Sequence, residues 1–504
     1  MFILDFGALT ILSYLMARRL NVIDSLFEQM ALSILIALGT KSLILFGLIL
    51  LKIQPNIAIQ TYISLGGLAL TMLLQRNKFK QNPLRQNTTL PGVWQKTISI
   101  TILATLFIVS AINSLFFPIY EADPLWNQVQ AIRYFHEMSF DTAQFHTLYP
   151  PYINMLFTYF VSLDWERMRT IFPVYYLCLL VIFYHRVYAN SRNQKLASVF
   201  TLLLGSTPYL WWHSVLPFLN LSTGTHFSLG LIYWFFCIRL LYAKENGVST
   251  SACASFALLS GVFFGLASWT RLEFCFYGLF PFLTLVHALI NQTKLNQTQK
   301  NKILLATSLP MLGFPSIWLI TISSLYPFDF NIQGIAIICA FMWILMVAFL
   351  FGIIKLQINR KRFWVLVCCS LVLYFITLGL EGPKSISIGN SFILGIFRTI
   401  IPNIFYSFTL FTALLLFYNG YKSLTFPEKL LGGFLLFYIA INYAIYTITP
   451  PKWNNIAAYM EANLFHPGTT VNASPTREKI AFYPVLIFFI SCLPLVKRSF
   501  EKNV

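Results

Sequence analysis

Three groups of residues have the types and spacing to do chemistry. The first is Glu121-Ala122-Asp123-Pro124-Leu125-Trp126, followed by Arg133, His136, Glu137, Asp141 and His146, and closed by the rigid turn Tyr149-Pro150-Pro151-Tyr152. Two carboxylates one residue apart can take up a proton or hold a cation if the backbone sets them on one side, as an extended 120–123 would. Asp123 before Pro124 is also a helix-start signature, Asp at the N-cap and Pro at the first helical position. Taken alone, the pair reads equally well as a cap beside a solvated acid. The second group is Ser268-Trp269-Thr270-Arg271-Leu272-Glu273-Phe274, where two charges separate two apolar runs. Arg271 there is either the partner of Glu273 or a planar fork for a phosphate. The third is Pro450-Pro451-Lys452-Trp453-Asn454-Asn455 with later His466, Arg477 and Lys479; its Asn and Trp, with Tyr459 and Glu461, are residue types that hydrogen-bond and stack on sugars and equally are ordinary loop residues.

The elements that must position these groups are membrane helices. Of 504 residues, 57% are hydrophobic and only 10% charged, against about 25% in soluble domains. The mean hydropathy is +0.69, and 49 Phe, 25 Tyr and 11 Trp supply the aromatics that membrane interfaces use. A secreted module, a cytosolic enzyme and a disordered scaffold are excluded. Apolar stretches recur from 5–17, 30–51 and 57–74 through 196–212 and 363–380 to 480–496, most of them long enough to cross a hydrocarbon core of about 30 Å. The expected fold is an all-α polytopic transmembrane helical bundle of 14 or 15 spans. It divides into 1–96, N-terminal helices and a basic loop; 97–300, the module carrying the outer loop 118–170; and 301–504, C-terminal helices with the outer loop 450–479.

Placing loop 76–96 inside and alternating from there puts 24 of the 35 Lys and Arg, but only Asp24, Glu28, Glu245, Glu428 and Glu501 among the acids, on the inner side. That bias is a positive-inside signal, so the net charge of +18 reports topology and not nucleic-acid binding. The C-terminus falls inside. Arg18 and Arg19 follow the first apolar run instead of preceding it, which reads as an anchor with an outer N-terminus, not a cleaved signal. That run is short and contains Asp5, and Lys41 sits in the middle of 30–51 with no assigned role. The eight cysteines all lie in apolar stretches, so no disulfide framework or thiolate metal site is implied. In the outer loop, Leu125, Val129, Ile132 and Phe135 recur at helical spacing among Asn127, Gln128, Gln130 and Arg133, which predicts an amphipathic surface helix. The apolar piece 152–163 is short for a span and reads as a re-entrant or surface helix. Asn220-Leu221-Ser222 and Asn472-Ala473-Ser474 match the N-glycosylation acceptor pattern.

The order of these motifs resembles the polytopic GT-C type glycosyltransferases, the superfamily of protein O-mannosyltransferases and lipid A aminoarabinose transferases. Glu121-Ala122-Asp123 is similar to their ExD motif in an early outer loop, Trp126 and helix 124–137 to the surface helix after it. Tyr149-Pro150-Pro151 and Thr270-Arg271-Leu272-Glu273 are similar to further motifs. The resemblance covers mainly 100–290. Three apolar segments precede the motif loop where the family often has one, and a C-terminal soluble domain is absent. The resemblance implies a polyprenyl-phosphate sugar as donor and a lipid, glycan or protein acceptor on the outer face. It implies Asp123 as general base, with Glu121 the second choice. Arg271, Arg133, His136 and His146 are then candidates for the donor phosphate, and Trp126, Tyr149, Glu273, Lys452 and Trp453 for substrate contact. A divalent metal held by Glu121 and Asp123 is compatible with oxygen donors, but no cofactor is required. The expected site is the periplasmic face of a bacterial inner membrane.

Other classes make different demands. A glycan polymerase or ligase would rely on outer-loop Arg and His instead of an acidic pair. A flippase or transporter should carry mid-membrane charges or broken helices in paired halves, and apart from Lys41 no such pattern is legible.

Overall fold

The computed structural model describes residues 1–20, 22–23, 25–75, 93–116, 122–140, 149–161, 165–216, 218–243, 249–325, 330–352, 404–448 and 479–501. Among these, every regular element is a helix. Seven helices are long and apolar enough to cross a membrane, or eight if Tyr483–Cys492 and Pro494–Glu501, bent by 61° at their junction, count as one span. The chain is a multi-pass, all-α membrane protein. The stretch 363–380 and most of the basic loop 76–96 lie outside the described residues.

The N-terminal unit is a three-helix cluster of α1 (Phe2–Arg18), α2 (Leu26–Leu50) and α3 (Ile57–Gln75), with α1 packed on both others. It resolves the two anomalies of the first apolar runs. Lys41 on α2 donates to Asp5 of α1 at 2.6 and 2.8 Å and to Gln60 of α3 at 3.4 Å, while Ser64 of α3 donates to Asp5 at 2.6 Å. Asp5 and Lys41 are fully buried. A charge in apolar surroundings persists when it is paired and hydrogen-bonded, and each of these two residues makes the other tolerable.

A fourth helix, α4 (Val93–Phe116), leads to α5 (Ala122–Glu137), which docks on the ten-residue α6 (Tyr152–Val161). The predicted surface helix is present, beginning two residues earlier than the periodicity placed it. Leu125, Val129 and Ile132 are exposed, whereas Asn127, Gln128 and Gln130 are buried against the protein. The apolar stripe therefore faces outward and the amides inward, as suits a helix with lipid on its outer side. Of the two readings of 152–163, the surface helix is excluded: Tyr152 through Tyr159 of the short α6 are buried apart from Asn154, with the helix packed on α2.

Beyond α7 (Ile171–Ser191), stretch 196–212 is not one helix. It breaks into α8 (Gln194–Gly205) and α9 (Pro208–Val215), because Pro208 cannot donate to the preceding turn and is accommodated at a new helix start. The centre of the bundle is α10 (Leu219–Leu241), buried along nearly its whole length. It packs on α11 (Thr250–Thr270), and α11 in turn on α13 (Gln297–Leu325). Small residues make these crossings close. A Cβ at Gly261 would stand 2.2 Å from the Thr307 carbonyl oxygen, and one at Gly265 would stand 2.4 Å from that of Pro310. Gly261 and Gly265 are four residues apart, one face of a helix, the small-xxx-small spacing that lets membrane helices touch backbone to backbone. Helices α12 (Phe274–Asn291) and α14 (Phe330–Leu350) flank this pair. They are followed by α15 (Ile404–Gly420), α16 (Phe426–Ile448), α17 (Tyr483–Cys492) and α18 (Pro494–Glu501). Of the cysteines, Cys178, Cys237, Cys253, Cys275, Cys339 and Cys492 are free and buried; Cys368 and Cys369 lie outside the described residues.

A second buried ion pair marks the opposite end of the bundle. Ser25 caps α2, its hydroxyl accepting from the Glu28 amide at 3.5 Å. The Glu28 side chain accepts from Arg186 of α7 at 2.5 Å and from the Tyr233 hydroxyl of α10 at 2.9 Å. Three helices that are far apart in sequence are thereby tied at one level.

Candidate functional site

The site is assembled where four segments end together. Helix α11 stops at Thr270, and Arg271 takes an extended conformation (φ −148°, ψ 116°) as its C-cap. Glu273 is the N-cap of α12, so the two charges occupy the short link that turns the chain back into the bundle. Trp269, two residues before Arg271, is fully buried and donates its indole N–H to Ser42 of α2 at 3.0 Å. It meets Phe46 and Trp318 edge-on. This packing holds the end of α11, and with it the Arg271 backbone, in place.

The Arg271 guanidinium is almost enclosed. Nη2 pairs with Glu273 at 2.5 Å, Nη1 donates to the Asn220 side-chain carbonyl at 3.2 Å, and Cζ lies 5.4 Å from the centre of the Tyr149 ring. Its side chain is 10% exposed and that of Glu273 is 32% exposed, so the cluster opens to the outside on the Glu273 side. Three residues singled out from sequence, Tyr149, Arg271 and Glu273, come together here. The ion pair with Glu273 is the local contact that the spacing allowed; the contacts with Asn220 and Tyr149 go beyond it. Two further segments converge on Arg271, one from the loop before α6 and one from the start of α10. A guanidinium is suited to this, having five donors in one plane and two faces for rings.

Asn220, the first residue of the Asn-Leu-Ser triplet, is buried in the first turn of α10 and bound to Arg271, so it cannot present its amide to a modifying enzyme. The reverse inference was available: an Asn at the start of a long apolar run is costly unless it has a partner.

Below Asn220, six residues along α10 and so about 9 Å deeper, lies His226, fully buried. Its Nε2 is 3.5 Å from the Tyr152 hydroxyl, which in turn contacts the Tyr175 hydroxyl of α7, and both rings meet the imidazole edge-on. The His226 Nδ1 has no hydrogen-bond partner among the described residues. Tyr152 is the last residue of the Tyr-Pro-Pro-Tyr turn and Tyr149 the first, so this turn connects the outer cluster to a polar pocket of side chains inside the bundle. Sequence reasoning passed over Tyr175 and His226; the one signal was a histidine within the apolar run 223–242.

The other candidates are placed differently. Arg133 pairs with Glu137 one turn on at 3.0 Å, both half-exposed, and His136 is exposed beside them on the outer face of α5. Their α5 neighbour Trp126 is half-buried. Helix α5 begins at Ala122, so Asp123 lies in its first turn and not at the N-cap, and the extended backbone that would align Glu121 with Asp123 is absent at 122–123. Glu121, His146, Lys452 and Trp453 lie outside the described residues. Helix α5 is nonetheless anchored to the same core as Arg271: Thr158 of α6 donates to the Ala131 carbonyl at 3.2 Å, and Tyr134 stacks through Phe140 onto Phe46, the ring that also meets Trp269. No group of three or more His, Cys, Asp and Glu able to hold a metal ion occurs among the described residues.

No protein-family model, curated protein or solved structure matches the chain.

Proposed function

We propose that the chain is a membrane glycosyltransferase that moves a sugar from a polyprenyl-phosphate donor to an acceptor at the outer face of a bacterial inner membrane, with its C-terminus in the cytoplasm. The observation that carries this reading is the tethered Arg271. A nearly enclosed guanidinium, held by Glu273, Asn220 and Tyr149 where apolar helices end, is a ready handle for the phosphate of a lipid arriving sideways from the bilayer. In the proposed step, Asp123 accepts the proton of the acceptor hydroxyl and the hydroxyl oxygen attacks the anomeric carbon. The bond from that carbon to the phosphate oxygen breaks, and the lipid phosphate leaves with the electron pair. Direct displacement inverts the anomeric configuration. Arg271 meets the charge that grows on the departing phosphate, where a preorganised donor is worth most. Arg133 and His136, exposed on α5, are placed to guide the headgroup in, not to hold it at the reacting bond.

The experiment is transfer from radiolabelled polyprenyl-phosphate sugars into lipid and glycan fractions, comparing membranes with wild type, Asp123→Asn, Glu121→Gln and Arg271→Lys at matched expression. Loss in Asp123→Asn with wild-type transfer intact supports the base. Equal transfer by all four removes both the acids and Arg271 from the mechanism.

One observation favours a second reading, transport of a lipid-linked glycan. The buried Asp5–Lys41 pair with Gln60 and Ser64 is an intramembrane charge cluster of the kind that transporters use. Its charges answer one another, which suits a fixed scaffold better than a moving path. Flux in proteoliposomes that is lost in Lys41→Met while transfer is absent from wild type would reverse the order of the two readings.

A further inference from the structure

The outward side of α11 and α13 carries an open groove of about 460 Å³, floored by Leu258 of α11 and by Leu305, Leu309 and Pro310 of α13. Its polar end lies at the end of α11 and α13 away from Arg271, and its floor runs up to Pro310, level with Gly265. Two sequence features make it. Pro310 has no N–H, so the Ala306 carbonyl loses its helical donor, and Ala306 itself, also lining the groove, is the small side chain that leaves a notch one turn before the proline. Close approach of the two helices at Gly261 and Gly265 draws their flanks into the walls of a furrow. Leu258 and Leu309 are 37% and 50% exposed, surface that is stable only against hydrocarbon.

The groove ends at Asn301 and Lys302. Lys302 is exposed and makes no ion pair among the described residues, with Lys300 and Lys294 nearby in sequence. From Ser249 to Leu325 the only carboxylate is Glu273, which is bound to Arg271 at the other end of the helices. Among the described residues, then, Lys302 gives this end of the groove a positive charge with no carboxylate paired to it. From Lys302 to Pro310 the groove follows about 12 Å of helix, somewhat less than half of a hydrocarbon core of about 30 Å, so it lies within the depth of one leaflet.

We infer that this groove binds one acyl chain of an anionic glycerophospholipid, with the lipid phosphate at Lys302. Apolar length, a small-residue notch and an unanswered lysine at the interface together fit that chemistry, and the inference does not depend on the transferase reading.

The test uses the full chain in phosphatidylcholine nanodiscs doped with a trace of phosphatidylglycerol or phosphatidylcholine bearing a photoreactive group in one acyl chain, with crosslinks mapped by mass spectrometry. The expected result is labelling of Leu305–Leu309 and Leu258 by the anionic probe, several-fold above that of Ile337 and Ile344, which are exposed elsewhere on the bundle. Lys302→Gln should lower the excess of anionic over zwitterionic labelling about fivefold, the weight of one lysine near an anionic surface. Ala306→Trp, which fills the notch, should abolish labelling by either probe there. Equal labelling by the two probes, or labelling no higher than at Ile337 and Ile344, would mean annular lipid only and overturn the proposal.

Discussion

At the scale of single residues Arg271 is central, because its contacts with Glu273, Asn220 and Tyr149 come from three places in the chain. A lysine at this position keeps the charge but cannot reach Glu273 and Asn220 as a planar fork. We expect Arg271→Lys to retain a fraction of transfer and Arg271→Ala to lose about 10²–10³-fold, the cost of one preorganised donor, with donor concentration series separating binding from turnover. Asn220→Ala should lower activity less, since it loosens the guanidinium without removing it. If Arg271→Ala transfers sugar at the wild-type rate, the cluster is a structural tie and the phosphate site lies elsewhere. Arg271 and Glu273 are neighbours in sequence, and their pairing could be read directly. Asn220 and Tyr149 could not be assigned to them, because nothing in a linear pattern says which helix ends will meet.

At the scale of elements, two devices hold helices together, one steric and one electrostatic, and different variants test them. The glycine contacts between α11 and α13 are steric. Gly261→Ala pushes a methyl into the Thr307 carbonyl and should destabilise by about 1–3 kcal/mol. Gly313→Ala, on the same α13 with nothing within 4 Å, should be neutral or stabilise by up to about 1 kcal/mol. Unfolding in mixed micelles reads both, and equal effects would mean that the close crossing is not a determinant of stability. The Asp5–Lys41 tie is electrostatic. Lys41→Met leaves a buried carboxylate without its cation and should cost about 3–5 kcal/mol, whereas Lys41→Met with Asp5→Leu should recover much of that loss. A double variant no more stable than the single one would show that the hydrogen bonds to Gln60 and Ser64, not the paired charges, hold α1 in place. Among the described residues the apolar runs predicted these elements well except at 196–212, where run length measured hydrophobicity and could not distinguish a continuous span from a broken helix pair.

Across the whole molecule, the polar features separate into levels. Arg271, Glu273, Asn220 and Tyr149 gather at one end. Glu28, Arg186 and Tyr233 tie the helices near the other, where Lys497 also pairs with Glu428 at 3.3 Å. The alternation expected from loop charges assigns the first end to the outer side of the membrane and the second to the inner side. The orientation itself is open to a direct measurement. The exposed positions Thr293 and Lys422 should react as cysteines with an impermeant maleimide only after permeabilisation, and Ser324 in intact cells. The reverse pattern would invert the topology and place the Arg271 cluster in the cytoplasm, where an outward-facing transferase could not use it.

What the sequence by itself determined is the solvent and the secondary structure. A chain with so few charges must live in lipid, and in lipid each backbone donor must be satisfied within its own segment, which leaves helices. The basic loops then select a topology, and the retained polar residues mark where function is worth their cost. Only the tertiary structure decided which of those residues meet. Asp5 and Lys41 looked like flaws in two separate runs and are one ion pair. Asn220 stood at the start of an apolar run with no role in the site and is a buried partner of Arg271. His226 was one polar residue in an apolar run and lies against two tyrosines from other helices. The reason is that desolvation cost depends on a partner across space, and a sequence records the cost at each position but not the partner.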